Sequence, residues 1–149
     1  MIVHIKNSQS DLNIDTKQIV PIVSEVLKLE GVKTDEVGVH LVDADEICRL
    51  HDEYFDDPSL TDCISFPIEN QDSLPYKILG DIFICPKTAL NYAQSQKICP
   101  YNETTLYLVH SLLHLLGYDD IGEKEPEMRR AEEKHMKHLK NLNLRFKQP

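Results

Sequence analysis

Along this chain of 149 residues the spacing of hydrophobic positions switches between a period of two and a period of three to four. IVHIK (2–6) reads as an opening strand, VGVHLVD (37–43) alternates apolar and polar residues as a half-buried strand does, and ILGDIFIC (78–85) is the most strand-like run. CISFPIE (63–69) is a short strand stopped at a proline. Helical spacing governs TKQIVPIVSEVLKLEG (16–31), closed by Gly31, and ADEICRLHDEYF (44–55), with Ile47, Leu50 and Tyr54 on one side. It returns in PKTALNYAQSQK (86–97), where Pro86 suits a first helical position, and in ETTLYLVHSLLHLL (103–116), after the candidate cap Asn102. A last helix, GEKEPEMRRAEEKHMKHLKNLNL (122–144), carries Met128, Ala131, His135, Leu139 and Leu142 on one face. DDPSLTD (56–62) reads as a turn and QDSLPYK as a polar loop. The order βαβαββααα implies an α+β single domain over 1–149, with a small mixed four-stranded sheet and about five helices.

Composition adds exclusions. The chain is 41% hydrophobic and 28% charged, which is ordinary for a globular domain large enough to bury its own core. No apolar run approaches a membrane span, and MIVHIKNSQSDLN lacks the pattern of a signal peptide, so a cytoplasmic protein is expected. Cys48, Cys63, Cys85 and Cys99 form no CxxC pair, which argues for buried free thiols over a zinc ribbon or a disulfide framework.

The net charge of −9 is unevenly spread: residues 1–127 carry 9 Lys/Arg against 23 Asp/Glu, whereas residues 128–149 carry 7 against 2. Cations near the end of a C-terminal helix are favoured by its dipole, which accounts for the basic segment. A basic edge that meets phosphates is the functional alternative.

The candidate chemistry lies in HSLLHLLGYDD (110–120). On a helix, Leu106, Val109, Leu113 and Leu116 form one apolar stripe and Leu108, Leu112 and Leu115 a second. Glu103, Tyr107, His110 and His114 fill the remaining one. A helix apolar over most of its circumference is buried on most sides, so both imidazoles point into an interior or a cleft. Hydrogen bonding within the core would satisfy one histidine. A pair at i, i+4 followed by acids suits one metal ion approached from the same side. Gly117 ends the helix and lets the chain fold back, bringing Tyr118, Asp119 or Asp120 towards that ion. Two imidazoles and a carboxylate leave a fourth position for water, as in catalytic zinc sites, where the pKa of that water falls towards ~7. Helical zinc peptidases place a glutamate after the first histidine; here that residue is Ser111, which makes a metallopeptidase the lesser alternative.

These residues, taken with three further blocks, resemble the YbeY family of metal-dependent endoribonucleases. HSLLHLLGYDD follows the family signature H-G-x-L-H-L-x-G-Y-D-H through Asp119. TDCISFP (61–67) is similar to T-D-V-L-S-F-P, LGDIFIC (79–85) to L-G-D-I-V-I-S, and EMRRAEE (127–133) to the family's closing helix. The resemblance implies one zinc ion per chain, at the end of a buried central helix, held by His110, His114 and the residue at position 120. His110 and His114 would then act in catalysis through the water on the ion. It further implies single-stranded RNA as substrate, 16S ribosomal RNA 3′-end processing, ribosome assembly and quality control, and ribosomal RNA with ribosomal or assembly proteins as partners. An alternative within the same resemblance is a metal-stabilised assembly factor with weak or no cleavage.

Three departures bear on the chemistry. Position 120 is Asp where the family has its third histidine; Asp is a competent zinc ligand, but its charge leaves a bound water less acidic. His135 would supply the missing imidazole only if the last helix crosses the site, and packing is its expected role. The family's arginine, a natural phosphate clamp, is replaced by Phe55, and its usual asparagine by His51. Arg49 and Lys87 are the candidate substitutes, each read as a solvated surface residue. Asp119 is expected to orient a ligand, Ser65 to bond backbone near the cleft, and Asp81 to anchor a turn.

Overall fold

Strand β1 (Ile2–Asn7) leads through a 3-10 turn at Thr16–Gln18 into helix α1 (Ile19–Glu30), and Gly31 ends that helix in the left-handed conformation, φ 69°. Strand β2 (Glu36–Leu41) then runs parallel to β1. Helix α2 (Ala44–Phe55) is capped by Asp43, whose carboxylate accepts the Glu46 amide at 2.9 Å, and is followed by β3 (Cys63–Pro67) and β4 (Ile78–Ile84). Helices α3 (Pro86–Gln96), α4 (Pro100–Leu115) and α5 (Glu125–Asn141) complete the chain.

These elements come from a computed structural model that describes residues 1–68 and 74–149. The end of the strand expected over 63–69 and the first residues of the polar loop expected at 71–77 lie outside the described residues. The sheet order is β1-β2-β4-β3, with β3 antiparallel to β4 and the other pairs parallel. The α+β architecture with a mixed four-stranded sheet and five helices is therefore the one observed.

The period-two pattern sorts the two faces of the sheet. Val37, Val39, Leu41, Ile82 and Ile84 pack with α1, α4 and α5 into the larger core. Ile64, Phe66 and Phe83 turn the other way, against Ile47 and Leu50 of α2. Helix α4 sits at the centre of the larger core: Leu108, Val109, Leu112 and Leu113 are fully buried, while Leu106 and Leu116 at the stripe's ends are half-buried. Burying each such leucine contributes roughly 1.5–3 kcal/mol, so this helix is fixed by tertiary packing.

Several expectations need correction. Tyr54 is 58% exposed and only leans its ring edge on Phe66. Leu142 lies beyond the end of α5 and is 45% exposed; the buried acid Glu132 joins the inner face of α5 instead. Asn102 does not cap α4, which starts at Pro100, a residue suited to the first turn because it has no amide proton to leave unpaired. All four cysteines are free, but only Cys85 is fully buried. Asp81 lies within β4, not in a turn, and its carboxylate meets His40 Nε2 at 3.1 Å over Gly38, where a side chain would collide with it.

Candidate metal centre

Helix α4 presents His110 and His114 one turn apart, with ring centroids 4.6 Å apart, nearly perpendicular planes, and Nε2 atoms 3.0 Å apart. After Leu115 the chain reverses: the Gly117 amide bonds the His114 carbonyl at 3.1 Å and the Tyr118 amide bonds the Leu113 carbonyl at 3.0 Å. This paired pattern needs a left-handed residue, supplied by Gly117 at φ 100°. The Tyr118 hydroxyl then donates to Glu30 Oε1 at 2.7 Å, fastening the reversed chain to the end of α1. Asp120 is thereby brought over the histidines, with Oδ2 3.5 Å from His110 Nε2 and Oδ1 3.7 Å from His114 Nε2.

His110, His114 and Asp120 thus offer three ligand atoms within 4.8 Å of one another. Ligands ~2.0–2.1 Å from a tetrahedral zinc ion stand roughly 3.3 Å apart. The observed nitrogen–nitrogen and nitrogen–oxygen separations of 3.0, 3.5 and 3.7 Å bracket that edge, so the donor set fits one small divalent ion. Asp119, the other acid open to the turn, is not in the group.

Behind His110 stands Glu132, a residue the sequence analysis missed. Its side chain is 6% exposed, and Oε2 lies 2.8 Å from His110 Nδ1. Arg129 Nη1 donates to both of its oxygens, at 2.6 and 2.9 Å. Burial acts to raise the Glu132 pKa, but the hydrogen bonds from His110 and Arg129 outweigh it and hold the carboxyl below its ordinary value. An ionised Glu132 accepts a hydrogen bond from Nδ1–H. In neutral His110 the lone pair is therefore on Nε2, aimed at Asp120 and His114, as a metal ligand requires. One signal was legible: an acid on the apolar stripe of α5, one residue after Ala131.

The cluster opens into a cleft of about 420 Å³ lined also by His51, Phe55, Thr61, Asp62, Cys63, Ile64, Ser65 and Pro67. Strand β3 and the turn before it form the opposite wall. Ser65 donates to the Ser111 carbonyl at 3.0 Å, so it bonds backbone and lines the cleft at once. His51 Nδ1 lies 2.8 Å from the Ser59 carbonyl, which turns the ring across the cleft mouth near Phe55. Burial, with Asp62 beside it, pushes the Cys63 thiol well above its ordinary pKa.

Among the described residues, no Lys or Arg lines this cleft. Arg49 is tied on the surface to Glu46 and Glu53, and Lys87 is half-buried in the first turn of α3. His135 does not join the cluster; it is fully buried, with Nε2 2.7 Å from Glu30 Oε2. Its role is the packing one expected of it, and through Glu30 it braces Tyr118. Burial opposes ionisation of Glu30, yet the hydrogen bonds from Tyr118 and His135 hold its pKa down, while the same contact pushes Tyr118 up to about 12.

Fold and site together define an α+β domain whose central helix and following turn present a His-His-Asp donor set in an open cleft. The model of the family described as Endoribonuclease YbeY matches residues 4–140, and the chain belongs to that family. A relative named Endoribonuclease YbeY from Protochlamydia amoebophila is 50% identical over 148 residues, covering 99% of both chains. One of the same name from Chlamydia muridarum is 38% identical over 134 residues, covering 88% of this chain and 83% of its own. The solution structure of TM1509 from Thermotoga maritima shares the fold at 23% identity, with a TM-score of 0.66 over 91% of this chain and 87% of that one. No helix among the described residues is long and apolar enough to cross a membrane.

Proposed function

We propose that this chain is a zinc-dependent endoribonuclease that cleaves single-stranded RNA in the cleft between α4 and β3, working in the cytoplasm on ribosomal RNA, at the 16S 3′ end, during ribosome assembly. The observation that carries this reading is the triangle of His110, His114 and Asp120 at the floor of an open cleft, in a chain of the endoribonuclease family. These three residues would hold one ion per chain. A bound zinc ion supplies an acidified water and a Lewis acid for a phosphoryl oxygen. Glu132 fixes the tautomer and orientation of His110, the Gly117 turn and Tyr118 hold Asp120 in reach, and the leucine stripes of α4 keep both imidazoles in register.

The test is zinc stoichiometry together with turnover. Purified protein is expected to carry about one zinc per chain and to cut a fluorescent single-stranded RNA, with cleavage lost on chelation and restored by zinc. No cleavage at full zinc occupancy would instead favour the second reading, a metal-stabilised assembly factor. The observation behind that reading is specific: Phe55 lines the cleft where the family resemblance places an arginine, and no Lys or Arg among the described residues lines it.

Asp120→Ala is expected to weaken zinc binding more than Asp119→Ala, because only Asp120 faces the histidines. Equal retention of zinc by the two variants in a competition titration would remove Asp120 from the ligand set.

A further inference from the structure

A groove of about 710 Å³ lies away from the metal centre, between the C-terminal end of α5 and the start of α4. Its wall is partly apolar, from Met136, Leu139 and Leu144, and its rim carries Lys137, Lys140 and Arg145, all exposed. Among the described residues, no acid lines it.

The charge on this rim is uncompensated. Arg49 and Arg129 spend theirs on carboxylates, Glu46 and Glu53 for the first and Glu125 and Glu132 for the second. Lys137, Lys140 and Arg145 make no ion pair with a carboxylate among the described residues; Arg145 donates only to neutral acceptors, Asn102 Oδ1 at 3.2 Å and Cys99 Sγ at 3.6 Å. Helix-dipole compensation accounts for one or two cations in the last turn of α5, but not for Arg145, which lies beyond it.

The cleft and the groove are complementary in what they lack. Among the described residues, the cleft has metal donors and no Lys or Arg, and the groove has cations and no acid. Two helices join them. Asn102 on the groove lies eight residues before His110 on α4, and Lys140 lies eight residues after Glu132 on α5, each about 12 Å along its helix. The groove therefore lies about two helical turns from the metal donors along both helices. We propose that the Lys137–Lys140–Arg145 groove binds the phosphate backbone of the RNA substrate a few nucleotides from the bond that is cut, supplying the phosphate contacts the cleft lacks. The inference rests on the ribonuclease reading for its ligand. The chemistry favours it independently: lysines as point charges, an arginine fork for phosphate oxygens, and apolar side chains for a sugar or base face.

Binding of a fluorescent single-stranded RNA of about ten nucleotides is measured against salt for the wild type and for Lys137→Gln/Lys140→Gln, and cleavage is followed separately on the same RNA and on a dinucleotide too short to reach the groove. Each lost phosphate contact lowers the slope of log affinity on log salt by ~0.7 for a single strand, so the double variant is expected to lose about 1.4 from the slope. Its dinucleotide cleavage and melting temperature are expected to match the wild type, and Arg145→Lys, which keeps the charge but not the fork, to keep the wild-type salt slope while binding more weakly. An unchanged slope in the double variant would overturn the groove as an RNA site. So would an equal loss of affinity for polyglutamate, which would mark a surface for acidic protein. A slope that falls as expected in a protein that cleaves neither RNA would support the groove and defeat the ribonuclease reading instead.

Discussion

His114→Ala is expected to lose zinc binding and RNA cleavage together, with cleavage reduced by more than the 10–100-fold typical when only an orienting partner of a ligand is removed. The residue belongs to the donor triangle, yet its side chain is 29% exposed and stands at the rim of the core. Its loss empties no cavity among the leucines, so the metal-free variant is expected to melt within a few degrees of metal-free wild type. Zinc content by mass spectrometry, cleavage of single-stranded RNA and thermal unfolding measured on the same preparation separate the two effects. Cleavage that survives in a folded, zinc-free His114→Ala chain would sink the assignment of the site. His110→Ala is the stricter companion, because it also leaves the buried Glu132 without one of its donors.

What made this site legible was local. Periodicity alone put His110 and His114 on the stripe of α4 left over by two rows of leucine, and both rows are buried except at the ends, Leu106 and Leu116. The helical period could not choose between Asp119 and Asp120. The choice depends on the reversal at Gly117 and on a hydrogen bond from Tyr118 to Glu30, a residue 88 positions earlier in the chain. Family resemblance pointed to position 120, and the geometry places that residue with the histidines. Glu132 was hidden for the same reason: its partner His110 lies 22 positions away, and an acid on an apolar stripe signals that some partner exists without naming it.

Element boundaries followed the same division. Helix α2 was readable to the residue because its cap, Asp43, and its apolar positions agree. Helix α4 started earlier than expected because Pro100 was a better first-turn residue than Asn102 was a cap. Asp81 was misread as a turn residue from its neighbour Gly80; in the fold it points off the sheet face to His40, across the space left by Gly38 on the next strand. That pairing joins residues 41 positions apart and leaves no trace in local spacing.

Glu132→Ala is the second variant with a large expected effect, because it separates alignment of the ligands from their identity. The substitution leaves every donor of the triangle in place and removes the acceptor behind His110. Nδ1 of a ring only 14% exposed then loses its partner, and the proton is free to move to Nε2, where it blocks the lone pair a metal needs. Zinc affinity is expected to fall 10–100-fold. The metal-free protein is expected to lose about 1–3 kcal/mol, the cost of a buried polar group left unsatisfied, mostly at His110 because half-exposed Arg129 can turn to water. Glu132→Gln should recover part of both, since its amide oxygen still accepts from Nδ1 but carries no charge. Zinc titration against a chelating dye and urea unfolding of the metal-free forms measure the two quantities. Unchanged zinc affinity in Glu132→Ala would mean that the packing of α4 alone orients His110, and that the buried carboxylate serves the helix pair and not the ion.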